Sequence, residues 1–95
     1  MEEMASVEIT IKGIVQGVGF RFFTERLAHR YGLTGYVMNH PNGSVYVVAE
    51  GEREAINAFL NQLKNGPPGA RIEGFHVTWR SPSGQFRDFS IRFSP

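Results

Sequence analysis

The sequence predicts an α+β fold of the ferredoxin-like, split βαβ kind: an antiparallel sheet with two helices on one face. Three observations predict it. Ninety-five residues make one domain's worth of chain. The hydrophobic period switches repeatedly between that of a strand and that of a helix. The switches run strand, helix, strand, strand, helix, strand, with a short fifth strand at the end. Hydrophobic residues make up 41% of the chain and charged residues 20%, enough apolar matter for one core and too little charge for a disordered chain. Residues 1–95 are therefore expected to form a single domain.

Between Val7 and Lys12, the residues Val7, Ile9 and Ile11 fall on one face and Glu8, Thr10 and Lys12 on the other, the alternation of a half-buried strand that ends at Gly13. Phe20, Phe23, Leu27 and Tyr31 recur at spacings of three and four, which predicts a helix over Arg21 to Tyr31 stopped by Gly32. Two extended runs, Thr34 to Asn39 and Ser44 to Glu50, flank His40-Pro41-Asn42-Gly43. Asn-Gly in that place predicts a hairpin and so antiparallel neighbours. Ile56, Phe59, Leu60 and Leu63 share one helical face, and Asn65-Gly66-Pro67-Pro68 closes that second helix. In the next strand Ala70 and Ile72 have one parity and Phe75, Val77 and Trp79 the other, so a bulge is expected at Gly74. After Ser81-Pro82-Ser83-Gly84, the run with Phe89, Ile91 and Phe93 on one face and Asp88, Ser90 and Arg92 opposite reads as a closing edge strand.

Composition removes several kinds of chemistry. Cysteine is absent, which excludes a disulfide framework, a thiolate zinc site and a cysteine nucleophile. Asp88 is the only aspartate, so neither an aspartate dyad nor a calcium loop can be built. His29, His40 and His76 lack metal-ligand spacing, and no Ser or Thr forms a triad pattern with a His and an acid. No metal and no cofactor are expected. The net charge of +1 does not suggest a polyanion surface. The acidic run Met1-Glu2-Glu3-Met4 is no signal peptide, and no stretch has the length of a membrane span. A cytoplasmic monomer without nucleic-acid or membrane partners is the expectation.

Between the first strand and the first helix lies Gly13-Ile14-Val15-Gln16-Gly17-Val18-Gly19-Phe20-Arg21. Glycines at a helix entrance let unpaired backbone amides converge on an anion without any side-chain charge. A tight structural connection is the alternative. Arg21 is a cation at the positive end of a helix, an arrangement that breaks the local rule and makes sense if an anion sits beside it. Its structural alternative is an exposed arginine with its stem on Phe22 or Phe23. Asn39 is a poor strand former at the end of a strand; a turn-initiating role before His40-Pro41 explains it equally well.

These residues resemble the acylphosphatase family. Ile11-Lys12-Gly13-Ile14-Val15-Gln16-Gly17-Val18-Gly19-Phe20-Arg21 meets the first family signature throughout. Gly35-Tyr36-Val37-Met38-Asn39 with Gly43, Val45 and Gly51 meets the second, with Tyr36 where Trp is frequent and Asn42 where Asp often stands. The resemblance extends through Gly66-Pro67-Pro68, Ala70, Trp79 and Phe89-Ser90-Ile91-Arg92. It implies hydrolysis of a small-molecule acyl phosphate to a carboxylate and inorganic phosphate, without metal or covalent intermediate. It further implies that Arg21 binds the phosphoryl group with the amides of Val15, Gln16, Gly17, Val18, Gly19 and Phe20, and that Asn39 orients the attacking water. The rival is a non-catalytic module binding an anion, or RNA by aromatic stacking. Phe75 and Trp79, its candidate stacking residues, have the parity expected to be buried.

Overall fold

The elements follow the expected order in the computed structural model, which describes residues 3–93: β1 (Met4–Ile14), α1 (Phe20–Arg30), β2 (Thr34–Asn39), β3 (Val45–Glu52), α2 (Arg53–Leu63), β4 (Arg71–Arg80) and β5 (Phe89–Arg92). Met1 and Glu2 of the acidic N-terminal run lie outside the described residues. The sheet order is β4-β1-β3-β2-β5. Both helices cover the same face, where Val7, Ile9, Ile11, Val37, Val47, Phe20, Ile56, Phe59 and Leu63 form the core. The ferredoxin-like sandwich is thus the fold, with one difference: the sheet is antiparallel except for β5, which runs parallel to β2 from Gly35↔Phe89 to Met38↔Arg92.

Helix α1 buries Phe20, Thr24, Leu27 and Ala28, whereas Phe23 and Tyr31 are only half-buried. A threonine can sit inside because its hydroxyl donates to the Phe20 carbonyl at 2.8 Å. The helix ends where Gly32 predicts. Leu33 N–H donates to the Ala28 carbonyl and Gly32 N–H to that of His29, with Gly32 at φ 67°, which is a Schellman closure. On β4 the expected bulge is present: Lys12 faces Gly74 and Gly13 faces Ile72, leaving Glu73 as the extra residue. The phase change does not bury Trp79, however. It is 37% exposed on the edge strand, with the Arg53 guanidinium 4.5 Å from its ring centroid.

Because β4 and β5 form opposite edges, the chain between them has to cross the sheet. It does so over the open face, and Glu50 on β3 holds it. Ser83 N–H and Oγ–H each donate to Glu50 Oε2 at 2.9 Å, and Gly84 N–H donates to Oε1 at 3.1 Å. Burial pushes the Glu50 carboxyl up, but the donors from Ser83, Gly84 and Ser6 outweigh it and hold the group below its ordinary value. A carboxylate with a depressed folded pKa contributes stability that is present above its unfolded value and is lost as pH falls through the folded one. The stability advantage of the wild type over Glu50→Gln is therefore expected to be full above about pH 4.5 and to shrink under acid. Urea midpoints of both proteins across that range check it; an advantage independent of pH would disconnect Glu50 ionisation from the crossing.

Candidate active site

The loop between β1 and α1 is tied down at both ends by the core, since Val15 and Phe20 are buried at 1% and 2% exposure. Between them Gly17 and Gly19 adopt φ of 77° and 78°, while Val18 keeps a negative φ. The alternating sign is that of a backbone nest, in which successive amides turn toward a common side. A side chain at either glycine would meet open space, so the left-handed backbone, and not crowding, is what calls for glycine there.

Gly19 is the N-cap of α1 and supplies no capping side chain, and the first turn holds no acid. Helical hydrogen bonding begins with Phe23 N–H donating to the Gly19 carbonyl at 3.0 Å. The amides just before it lack intrahelical acceptors, which leaves the positive end of the helix available to an anion.

The side chain of Gln16 has a structural task of its own. Its side-chain Nε2 donates to the carbonyls of His40 and Ser44, both at 2.9 Å. One amide group thereby staples the glycine loop to the β2–β3 turn. That turn is built from Gly43 N–H donating to the His40 carbonyl and His40 N–H to that of Ser44, with Gly43 at φ 94°, a type I turn followed by a left-handed glycine. The side-chain bonds that close it come from Asn42, whose Oδ1 accepts from Ser44 N–H at 3.0 Å and from Ser44 Oγ at 2.6 Å. The turn-initiating role open to Asn39 in the sequence is thus supplied by its neighbours.

Asn39 instead shares the helix-side face of the sheet with Val37, and pairs with Val45 at the end of β2. It lines a cleft of about 220 Å³ together with Val15, Gly17, Gly19, Phe20, Arg21 and Phe22. Two distant stretches of chain, the glycine loop with α1 and the end of β2, meet there. Arg21 is the one charged residue of the lining. Among the described residues the ion pairs are Arg53–Glu3, Arg71–Glu73 and Arg80–Glu8, and Arg21 belongs to none of them. Its guanidinium lies over Phe93, 4.9 Å from the ring centroid. Of the expected site residues, Gln16 and Val18 do not line the cleft; Val18 packs against the core.

Phe22 and Phe93 were not legible as site residues. Phe22 is 59% exposed and lies outside the apolar stripe of α1, which was its only signal. Phe93 shares the parity of Phe89 and Ile91 but is 77% exposed, because it stands just beyond the end of an edge strand. Among the described residues no group of three His, Asp or Glu side chains comes together as a metal cluster, and no helix is long and apolar enough to cross a membrane. A guanidinium, helix-terminal amides without intrahelical acceptors and a side-chain amide around one small cleft can hold a phosphoryl group and orient a water.

Residues 7–91 match the family model of the acylphosphatases. The acylphosphatases of Thermotoga petrophila and Thermotoga maritima are each 46% identical to this chain over 90 residues, which span 95% of it and 99% of theirs. The crystal structure of acylphosphatase from Bacillus subtilis is similar at a TM-score of 0.90 and 35% identity, over 93% of this chain and 98% of that one. A TM-score of 0.90 at 36% identity also relates 99% of this chain to 12% of full-length HypF, solved in a phosphate- and nucleotide-bound form.

Proposed function

Since the chain belongs to the acylphosphatase family and is an enzyme of acyl phosphate hydrolysis, we propose that it works by direct in-line attack of water on phosphorus, with no metal and no covalent intermediate. Arg21 and the amides of Val15 to Phe20 hold the phosphoryl oxygens, and Asn39 orients the water. The P–O bond to the acyl group breaks as the water oxygen bonds to phosphorus; the products are a carboxylate and inorganic phosphate.

What supports this most is that Arg21, the open first turn of α1 and Asn39 line one cleft. A loose phosphoryl-transfer transition state asks little of the nucleophile, and a departing carboxylate needs no proton. Neither a strong base nor a general acid is then required, in keeping with a lining that offers neither. Positioning and charge stabilisation can carry the reaction. The enzyme acts as a single-domain, cytoplasmic monomer on a small molecule, without nucleic acid or membrane; the near-neutral charge of +1 supports the lack of a polyanion partner.

Hydrolysis of an aryl acyl phosphate in ¹⁸O-labelled water, after exhaustive chelation, tests the mechanism. Full activity is expected, with the label in phosphate and with inorganic phosphate competing against substrate and raising the melting temperature by mass action. Label in the carboxylate would place attack at the carbonyl carbon. Activity lost on chelation and restored by a divalent cation would overturn the metal-free reaction.

A further inference from the structure

A long arginine side chain at a cleft mouth samples many rotamers unless something holds it, and the usual holder is a carboxylate. A carboxylate would occupy the guanidinium donors in a paired fork and would repel an arriving dianion. Among the described residues Arg21 has no acid partner. It has the ring of Phe93, 4.9 Å from its Cζ. The face of an aromatic ring attracts a cation through its quadrupole and leaves the in-plane N–H donors available.

We propose that Phe93 is a positioning residue for Arg21, holding the guanidinium at the cleft while leaving its donors to the ligand. The inference rests on the reading that Arg21 binds the phosphoryl group. Three observations carry it beyond a chance contact. Phe93 contributes nothing to the core: Phe89 on the same strand face is 2% exposed and Phe93 is 77% exposed. The parallel register of β5, with Met38 facing Arg92, brings residue 93 level with Asn39, at the end of the sheet where the cleft lies. The start of β5, four residues before Phe93, is fastened to its neighbours, since His29 Nε2 on α1 bonds the Phe89 carbonyl at 3.0 Å and Gly35 N–H donates to the Asp88 carbonyl at 2.9 Å. The contrast with Arg53 is informative. Arg53 lies over Trp79 but is also paired with Glu3, whereas among the described residues Arg21 has the ring and no carboxylate.

Titration of inorganic phosphate against Phe93→Ala, Phe93→Leu and Phe93→Tyr, each alone and combined with Arg21→Ala, tests the proposal. Phe93→Ala and Phe93→Leu are each expected to weaken phosphate binding about two- to fivefold, the range of an exposed cation–π contact. Phe93→Tyr, which keeps the ring face, is expected to bind like the wild type. Without phosphate, the Phe93 substitutions should leave the melting temperature of either background unchanged, and no Phe93 variant should add to the loss in the Arg21→Ala background. Leucine binding as well as phenylalanine, or Ala without effect, would overturn the positioning role. If Arg21→Ala itself leaves phosphate affinity intact, the phosphoryl-binding reading fails instead, so the two failures are told apart.

Discussion

Arg21→Ala is expected to lower acyl phosphate hydrolysis by roughly two to three orders of magnitude, the loss seen when one preorganised donor to developing negative charge is removed. The fold should survive. Arg21 is half-buried in the first turn of α1, where a cation opposes the helix dipole by about 0.3 to 1 kcal/mol, so its removal takes away a local conflict and no core contact. Urea denaturation is expected to show unchanged or slightly higher stability. Arg21→Lys should recover little, because an ammonium is a point charge and cannot offer a planar fork to two oxygens. Steady-state kinetics of both variants check this. An active lysine variant would mean that charge alone is being used, and an alanine variant within tenfold of wild type would remove Arg21 from the reaction.

Asn39→Ala is expected to separate turnover from binding. A residue that orients water acts in the transition state and touches the bound ground state little. The kcat should fall by about a hundredfold or more, with KM and phosphate affinity close to wild type. Stability should hardly change, because the bonds that close the neighbouring turn come from Asn42 and Gln16. Had Asn39 been the residue initiating that turn, the loss would have been about 1 kcal/mol of stability with near-normal turnover. Near-normal kcat would end the water-orienting role. Lost phosphate affinity would reassign Asn39 to binding.

Much of this architecture was legible because local periodicity and turn chemistry act over a few residues. The alternation around Val7, Ile9 and Ile11, the stop at Gly32, the hairpin around Asn42-Gly43 and the bulge beside Gly74 are all present. Where local reasoning went astray, an edge was involved. Trp79 and Phe93 have the parity of buried residues, but Trp79 lies on an outer strand and Phe93 just past the end of the other, where inward parity no longer means burial. Thr24 in place of Tyr31 on the buried face of α1 has another cause. The Thr24 hydroxyl finds its partner one helical turn back, a satisfaction that a hydrophobicity pattern does not register.

The sequence by itself determined the order of elements, the apolar face of each, and the glycine loop at the entrance to α1, since each depends on side-chain period or on a backbone angle that only glycine takes readily. It also marked Arg21 and Asn39 as residues at odds with their local surroundings. That the two line one cleft was decided by tertiary structure, because β1 and β2 both pair with β3 and therefore both end beside the start of α1. The Gln16 staple and the ring under Arg21 belong to the same level. The direction of β5 cannot be read from alternation, which is the same for a strand running either way. The crossing over the open face, held by Glu50, lets β5 lie parallel to β2, and that direction alone carries Phe93 to the end of the sheet where Arg21 stands.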